Sequence, residues 1–177
     1  MRGSGMVSLE FEVPVTRLNN VMDVILREDS KLQWVYYRED TQSVVVRTMV
    51  SKNTLQTFLL KLASVIDVPV EVTIVEEQER GNAIHEAFLL RVDTSGGTYP
   101  VAILLLYNIS KFYPDTIIVG TSANAPPELV DTVLKLTVGK VNLFETEKVR
   151  SSLVDGGFFI QLRTNVPSAP DREKVLT

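Results

Sequence analysis

The order of periodic segments in the first half of the chain is the feature that most constrains its fold. Four runs are typical of strands, because they alternate apolar with polar residues or are rich in Val, Trp and Tyr, at residues 7–13, 32–38, 43–49 and 70–74. Apolar residues spaced three and four apart, typical of amphipathic helices, follow the first and third runs. The predicted order is therefore strand, helix, strand, strand, helix, strand.

Breakers and turn formers support these boundaries. Pro14 ends the first strand, and Pro69 follows the second helix. Residues 39–42 have a turn-forming composition and predict an antiparallel hairpin between the second and third strands. Ser51 or Asn53 is expected to cap the second helix.

This order is that of the ferredoxin-like, or split βαβ, arrangement, which we predict for residues 6–77. In that arrangement both helices cover one face of the sheet. The other face is bare, so we expect either the second half of the chain or another subunit to cover it.

Residues 83–164 predict a second α/β half. Residues 84–92 indicate a strand with apolar residues on much of both faces, paired with the strand before it. Residues 99–112 are ambiguous between a core strand and a buried helix. We favour a helix, because the apolar run continues through Phe112 and Pro100 suits a first turn.

The remaining elements follow from further periodic runs. Residues 116–120 predict a strand, and residues 126–139 predict a helix that two prolines open and Gly139 closes. Residues 141–147 and 158–163 predict a closing strand pair around Asp155-Gly156-Gly157.

No linker or shift of composition separates the two halves. We therefore expect one fused α+β domain over residues 6–164. Residues 1–5 resemble an expression leader, and residues 165–177, with two prolines and several charges, predict a loose carboxy-terminal tail.

Composition excludes several classes of site. The chain has no cysteine and a single histidine, so disulfides, thiolate zinc sites and cysteine catalysis are excluded, and we expect no metal and no cofactor. The net charge is −4 and the basic residues are scattered, so a nucleic acid is not an expected partner. The run Val101–Tyr107 is too short to span a bilayer, and no secretory signal follows Met6, so we expect a cytoplasmic protein.

Two loops of small residues are the candidate ligand site. If the surrounding segments were parallel βαβ units, both loops would lie at the carboxyl edge of the sheet and precede helix N-termini, where a small anion or nucleotide could bind. Their candidate residues are Thr94, Ser95, Gly96, Gly97, Gly120, Thr121, Ser122 and Asn124. The alternative is that both loops are ordinary connections capped by polar side chains.

Two other motifs have a catalytic interpretation that we do not favour. Asp93-Thr94-Ser95-Gly96 resembles the signature of aspartic proteases, but the helices elsewhere depart from the all-β pattern of that family, so a turn is the better interpretation. His85 lies in an apolar strand beside Glu86 without a cysteine partner, so a structural role is favoured.

The last two candidates are an acidic run and an aromatic group. Residues 76–79 could attract a cation, but a solvated hairpin tip is favoured. Trp34, Tyr36 and Tyr37 could stack on RNA bases, but the glycine-rich and basic neighbours of such modules are missing, so packing in a core or an interface is favoured.

These observations favour a non-enzymatic protein-interaction or regulatory module that associates with itself, forming a homo-oligomer, or with another protein. They leave enzymatic activity undecided. The alternative is a protein that binds a small ligand through residues 94–98 and 120–124.

Overall fold

The structure, a computed structural model, describes residues 5–28, 30–79, 81–107, 114–141 and 146–164, with the backbone alone at 138–141, 146, 147 and 149. The described residues form nine strands: β1 Met6–Pro14, β2 Ser30–Arg38, β3 Ser43–Ser51, β4 Val70–Glu76, β5 Ala83–Thr94, β6 Gly97–Tyr107, β7 Pro114–Ser122, β8 Thr146–Val154 and β9 Gly157–Thr164. They also form three α-helices: α1 Leu18–Arg27, α2 Leu55–Ser64 and α3 Pro127–Val141.

All nine strands belong to one antiparallel sheet, and the fold is α+β. Their order is β2-β3-β1-β4-β5-β6-β7-β9-β8. The strands of the first half therefore lie side by side, and the sheet continues through the pairing of β4 with β5 into the second half. The predicted hairpin of β2 and β3 is observed. Ser51 accepts a hydrogen bond from the backbone N–H of Asn53 at 3.2 Å and so caps the short 3₁₀ turn Lys52–Thr54 before α2, whereas the N-cap residue of α2 itself is Thr54, which makes no side-chain cap hydrogen bond.

Helices pack on both faces of this sheet. On the face that we call face A, α1 and α2 bury a core through Val21, Ile25, Phe58 and Leu59. This core extends from β1 as far as Phe159 in β9, because α2 packs mainly across β5, β6 and β7. On the opposite face, face B, α3 buries a second core against β6, β7 and β9.

The predicted helix at residues 99–112 is wrong for residues 99–107, which form β6. Its apolar side chains are buried on both faces, since Ala102 and Leu104 belong to the face A core, and Val101 and Ile103 to the face B core. A strand covered on both sides needs a continuous apolar run, and this explains why periodicity could not separate it from a helix. Residues 108–112 lie outside the described residues.

The closing strand pair starts later than predicted. Helix α3 continues past Gly139 to Val141, so β8 begins at Thr146. The turn between β8 and β9 is at the predicted place, because Asp155 and Gly156 have φ angles of 49° and 77°. Two positive φ angles in a two-residue loop match the right-handed twist of a hairpin.

Two terminal predictions fall on residues that the structure does not describe. These are the leader, apart from Gly5, and the tail at 165–177. Among the described residues, no helix combines the length and the hydropathy that a membrane crossing requires.

Candidate functional site: the β2 edge

Strand β2 forms one outer edge of the sheet. It pairs with β3 along one side, and among the described residues no strand pairs with its other side. An edge strand presents unpaired backbone N–H and C=O groups, which another strand can pair with. The backbone of Ser30–Arg38 is therefore a template for adding a strand.

Five large apolar side chains of β2 are exposed to solvent. We call this set the apolar edge, and its exposed fractions are 36% for Leu32, 40% for Trp34, 41% for Val35, 59% for Tyr36 and 50% for Tyr37. The sequence prediction placed Trp34 and Tyr36 in a core or an interface, and their exposure excludes the core of the single chain. Clusters of exposed aromatic residues are typical of interaction sites.

The apolar edge occupies both faces of the sheet. Trp34 lies opposite Arg47 and Tyr36 opposite Val45, which places them on face B. The remaining three lie on face A, opposite buried residues of β3: Leu32 opposite Thr48, Val35 opposite Val46 and Tyr37 opposite Val44. A bulge between Leu32 and Trp34 takes Gln33 out of the ladder.

Polar contacts hold the tip of the β2–β3 hairpin against β1. Glu12 accepts hydrogen bonds from Arg38 at 3.4 Å, from Thr41 at 3.4 Å and from Ser43. Arg38 also lies 3.7 Å from the Asp40 carboxylate. These contacts fix the end of β2, so its exposed side chains are presented on an ordered strand.

The neighbouring part of face B is more polar than we predicted for a bare sheet face. Strand β1 places Ser8, Glu10 and Glu12 there, and Glu10 lies 3.9 Å from Arg47 of β3. A charged face of this kind can remain in water without a covering layer. The apolar surface of the first half is therefore concentrated at the edge and not spread over the bare face.

The two predicted ligand loops lie at the same end of the sheet, but in a different geometry from the one we assumed. The segment 94–97 is a hairpin turn between antiparallel strands, and not a connection from a strand to a helix. Ser95 donates a hydrogen bond to Glu128 in the first turn of α3 at 3.3 Å. The Ala123 N–H donates to the carbonyl of Gly156 at 2.9 Å. The premise of parallel βαβ units is wrong.

Internal hydrogen bonds occupy most of the hydroxyl groups of these loops. Thr94 donates to the carbonyl of Gly97 at 2.9 Å and accepts from the N–H of Gly96 at 3.2 Å. Thr98 donates to Asp93 at 2.5 Å, which makes the Asp-Thr-Ser-Gly motif part of a turn.

The other loop contributes mainly to packing. A Cβ atom at Gly120 would lie 2.7 Å from the ring of Phe159, so this glycine makes room for an aromatic core residue. Thr121 is buried and bonds to the neighbouring carbonyl of Ser122. The ligand role of both loops stays a prediction.

His85 is a buried structural residue at the other end of the sheet. Its Nδ1 accepts the N–H of Tyr107 at 3.0 Å, so the neutral ring carries its proton on Nε2 and donates to Glu76 at 3.0 Å. Lys52 contacts the second oxygen of Glu76. Burial raises the pKa of Glu76, but the hydrogen bonds from Lys52 and His85 lower it by more, so its pKa lies below the ordinary value.

Tyr107 is held in its protonated form. Its hydroxyl donates to Glu86 at 2.8 Å. Burial and this hydrogen bond raise the pKa of the Tyr107 phenol well above its ordinary value. The side chain is therefore a hydrogen-bond donor at neutral pH and not a base.

Between α3 and the sheet lies an apolar groove of about 740 Å³. It is lined by Pro69, Val70, Glu71, Phe88, Leu89, Leu90, Ile103, Lys135 and Leu136. No sequence pattern predicts this groove, because it exists only where α3 stops short of covering β4 and β5. The described residues include no group of three or more His, Asp or Glu side chains that could hold a metal ion.

The sequence predicts the aromatic members of the apolar edge as contact residues, but not Leu32 or Val35. The available signal was that Trp34–Tyr37 is an unbroken run of large apolar residues, whereas a strand with one buried face alternates. Comparison of this chain with models of protein families, with curated proteins and with solved structures found no match in any of the three.

Proposed function

We propose that this chain is a non-enzymatic protein-interaction module that associates with itself through the apolar edge. The observation that carries this proposal is the exposure of Trp34, Val35, Tyr36 and Tyr37 on a strand whose outer side is unpaired among the described residues. Natural edge strands are usually protected by charges, prolines or a covering segment. An edge rich in aromatic residues supports a contact that buries it.

The energetics favour association at this edge. Trp and Tyr are enriched among interface hot spots, whose truncation costs about 2 kcal/mol or more, and strand addition contributes main-chain hydrogen bonds besides. The hydrogen bonds of Glu12 and Arg38 order the strand in advance, which reduces the entropy lost on binding.

We also propose that residues 6–77 form a ferredoxin-like unit within one fused domain. The support is the neighbouring order β2-β3-β1-β4 with antiparallel pairing throughout. The face A core supports the fusion, because it continues from β1 to β9.

Light scattering combined with size exclusion tests the proposed association. The parent chain should have an average mass above that of the monomer at micromolar concentration, and this mass should fall on dilution. Tyr36→Lys should give a folded monomer, because the new charge would have to be buried on pairing. Leu153→Lys on β8, which changes a side chain that is 69% exposed, is the matched control and should keep the parent mass.

A parent chain that is monomeric at all concentrations up to 100 µM would contradict self-association. Equal masses for the parent and Tyr36→Lys would contradict the role of the apolar edge.

A small-ligand function is the second candidate, and the observation that favours it is the apolar groove beside α3. Its volume lies in the range of ligand pockets, and Lys135 offers a charge for an apolar carboxylate. Thermal-shift measurements with medium-chain carboxylates test the groove, and inorganic phosphate or nucleotides test the loops at 94–98 and 120–124. Leu136→Glu should abolish a carboxylate shift, whereas Leu26→Glu, at an exposed leucine of α1, should not. No shift with any of these probes would contradict this candidate.

A further inference from the structure

We infer that the partner of the apolar edge is a second copy of the chain, joined by antiparallel pairing of β2 with β2 around a two-fold axis at Val35. This inference rests on the proposed self-association and specifies its geometry. It follows from the positions of the apolar side chains and from the faces that they occupy.

The bulge makes the apolar edge symmetric about Val35. Because Gln33 is out of the ladder, Leu32 lies two ladder positions before Val35 and Trp34 lies one position before it. Tyr36 and Tyr37 lie one and two positions after Val35. Without the bulge, Leu32 would point to face B and the symmetry would be lost, since one residue of shift reverses the face.

A two-fold axis perpendicular to the sheet keeps each face continuous between the two copies. Paired residues in an antiparallel ladder share a face, so the axis at Val35 pairs Trp34 with Tyr36 of the second copy on face B. On face A it pairs Leu32 with Tyr37 of the second copy, and Val35 with its own equivalent. All five exposed apolar side chains then have an apolar partner, and cross-strand aromatic pairs are favourable.

Neighbouring registers match the apolar side chains less well. An axis at Tyr36 would place Trp34 opposite Arg38 and Leu32 opposite Glu39. An axis at Trp34 would place Tyr36 opposite Lys31. Both alternatives set apolar side chains against charged ones and leave part of the apolar edge in water.

The charged side chains at the two ends of β2 meet at the margins of this pairing. Lys31, at the start of the strand, is exposed and has no ion-pair partner among the described residues. At the other end, Arg38 is surrounded by the carboxylates of Glu12 and Asp40, so this group is negative by one charge. The axis at Val35 places each Lys31 directly opposite Arg38 of the second copy, and the carboxylates of Glu12 and Asp40 beside Arg38 limit the repulsion between these two cations.

Disulfide crosslinking tests this geometry directly, because the chain has no cysteine of its own. Residues that face their own equivalent across an antiparallel pair have Cα atoms about 4.5–5.5 Å apart, within the range of a disulfide. Val35→Cys should therefore form a covalent dimer under mild oxidation. Tyr37→Cys should not, because the register separates its Cα atoms by roughly 14 Å. Leu153→Cys on β8 is the control for random collisions.

The outcomes separate this geometry from the proposed function. Rapid crosslinking of Val35→Cys alone, with an unchanged mass and circular dichroism spectrum in the reduced form, supports the axis at Val35. A dimeric parent whose Tyr36→Cys variant crosslinks, while Val35→Cys does not, overturns the geometry and leaves self-association intact. A monomeric parent overturns both.

Discussion

The two outer strands of the described sheet, β2 and β8, have the same length and different surfaces. Each has nine residues and one bulge, between Leu32 and Trp34 in β2 and between Lys148 and Arg150 in β8. In β2 the bulge is followed by four large apolar residues, whereas in β8 it is followed by Arg150, Ser151 and Ser152 before the exposed Leu153 and Val154 at the hairpin end. The middle of β8 therefore shows the polar protection expected of an edge, and the middle of β2 does not.

The inner neighbours of these strands show a related difference. Strand β9, next to β8, buries Phe159 against Gly120 and near Leu60 of α2, so aromatic residues on that side build the core. Strand β3, next to β2, builds its part of the core from valines, and the aromatic residues lie outside it. Aromatic side chains thus stabilise the monomer at one edge and are available for contacts at the other.

The largest expected effect tests this division of aromatic roles. Phe159→Ala should lower the free energy of unfolding by about 3–5 kcal/mol, because the ring is 3% exposed and its loss leaves a cavity. Tyr36→Ala should change the free energy of unfolding of the monomer by less than about 0.5 kcal/mol, since its ring is exposed. Urea denaturation in dilute solution measures both values. Comparable losses of unfolding free energy in the two variants would contradict the different roles of the aromatic residues at the two edges.

The next effect concerns the tight contact that supports the β8 side. Gly120→Ala should destabilise the fold by about 1–3 kcal/mol, because its new Cβ would lie 2.7 Å from a buried ring. Gly96→Ala is the matched control, since its Cβ would meet no atom closer than 3.9 Å. Thermal unfolding of both variants should show a large shift only for Gly120→Ala, and a stable variant would mean that the Phe159 ring can move aside.

A smaller effect concerns the pairing of β4 with β5, which joins the two halves of the sheet. It tests whether acid weakens the contacts of Glu76 at this pairing. The pKa of Glu76 is below its ordinary value, so its contribution to stability is present above the unfolded-state pKa and is lost as the pH falls through the folded-state pKa. Glu76→Gln should lower the free energy of unfolding by about 1 kcal/mol at neutral pH. It should also reduce the decrease in this free energy as the pH falls, which is the acid limb of the stability curve.

Glu71→Gln is the control for the acid dependence. It removes an exposed carboxylate from the same strand, so the acid limb should keep the shape that it has in the parent chain. An unchanged acid limb in Glu76→Gln would show that the contacts of His85 and Lys52 do not control it.

The smallest effect is expected on the β8 edge itself. Arg150→Ala removes an exposed hydrogen bond to Gln161 of 3.0 Å, so the unfolding free energy should change by less than about 0.5 kcal/mol. The mass in light scattering should equal that of the parent chain. A lower average mass in this variant would indicate that β8 is the association surface and would contradict the comparison of the two edges.

The first half of the fold could be read from the sequence, because each of its main segments has a distinct period. Alternation around Phe11 and the spacing of Val21 and Ile25 predicted β1 and α1, which the structure confirms. The turn at Asp155-Gly156 was also readable, since few residues adopt a positive φ without strain. The candidate site was only partly readable, because its aromatic residues could equally have packed in a core.

The second half shows where local patterns stop deciding. Residues 101–105 are apolar at every position, and a run of this kind suits a helix and a doubly covered strand equally well. The structure resolves this choice only through the neighbours of β6, which are β5 and β7 beside it and α2 and α3 on its two faces.

By itself, the sequence determined the periods, the turns and the absence of cysteine chemistry, because these depend on residues close together in the chain. Tertiary structure alone decided that β2 lies at an edge while β6 lies in the interior, although both contain consecutive apolar residues. The physical reason is that burial depends on which segments become neighbours, and that choice is made over the whole sheet and not within one strand.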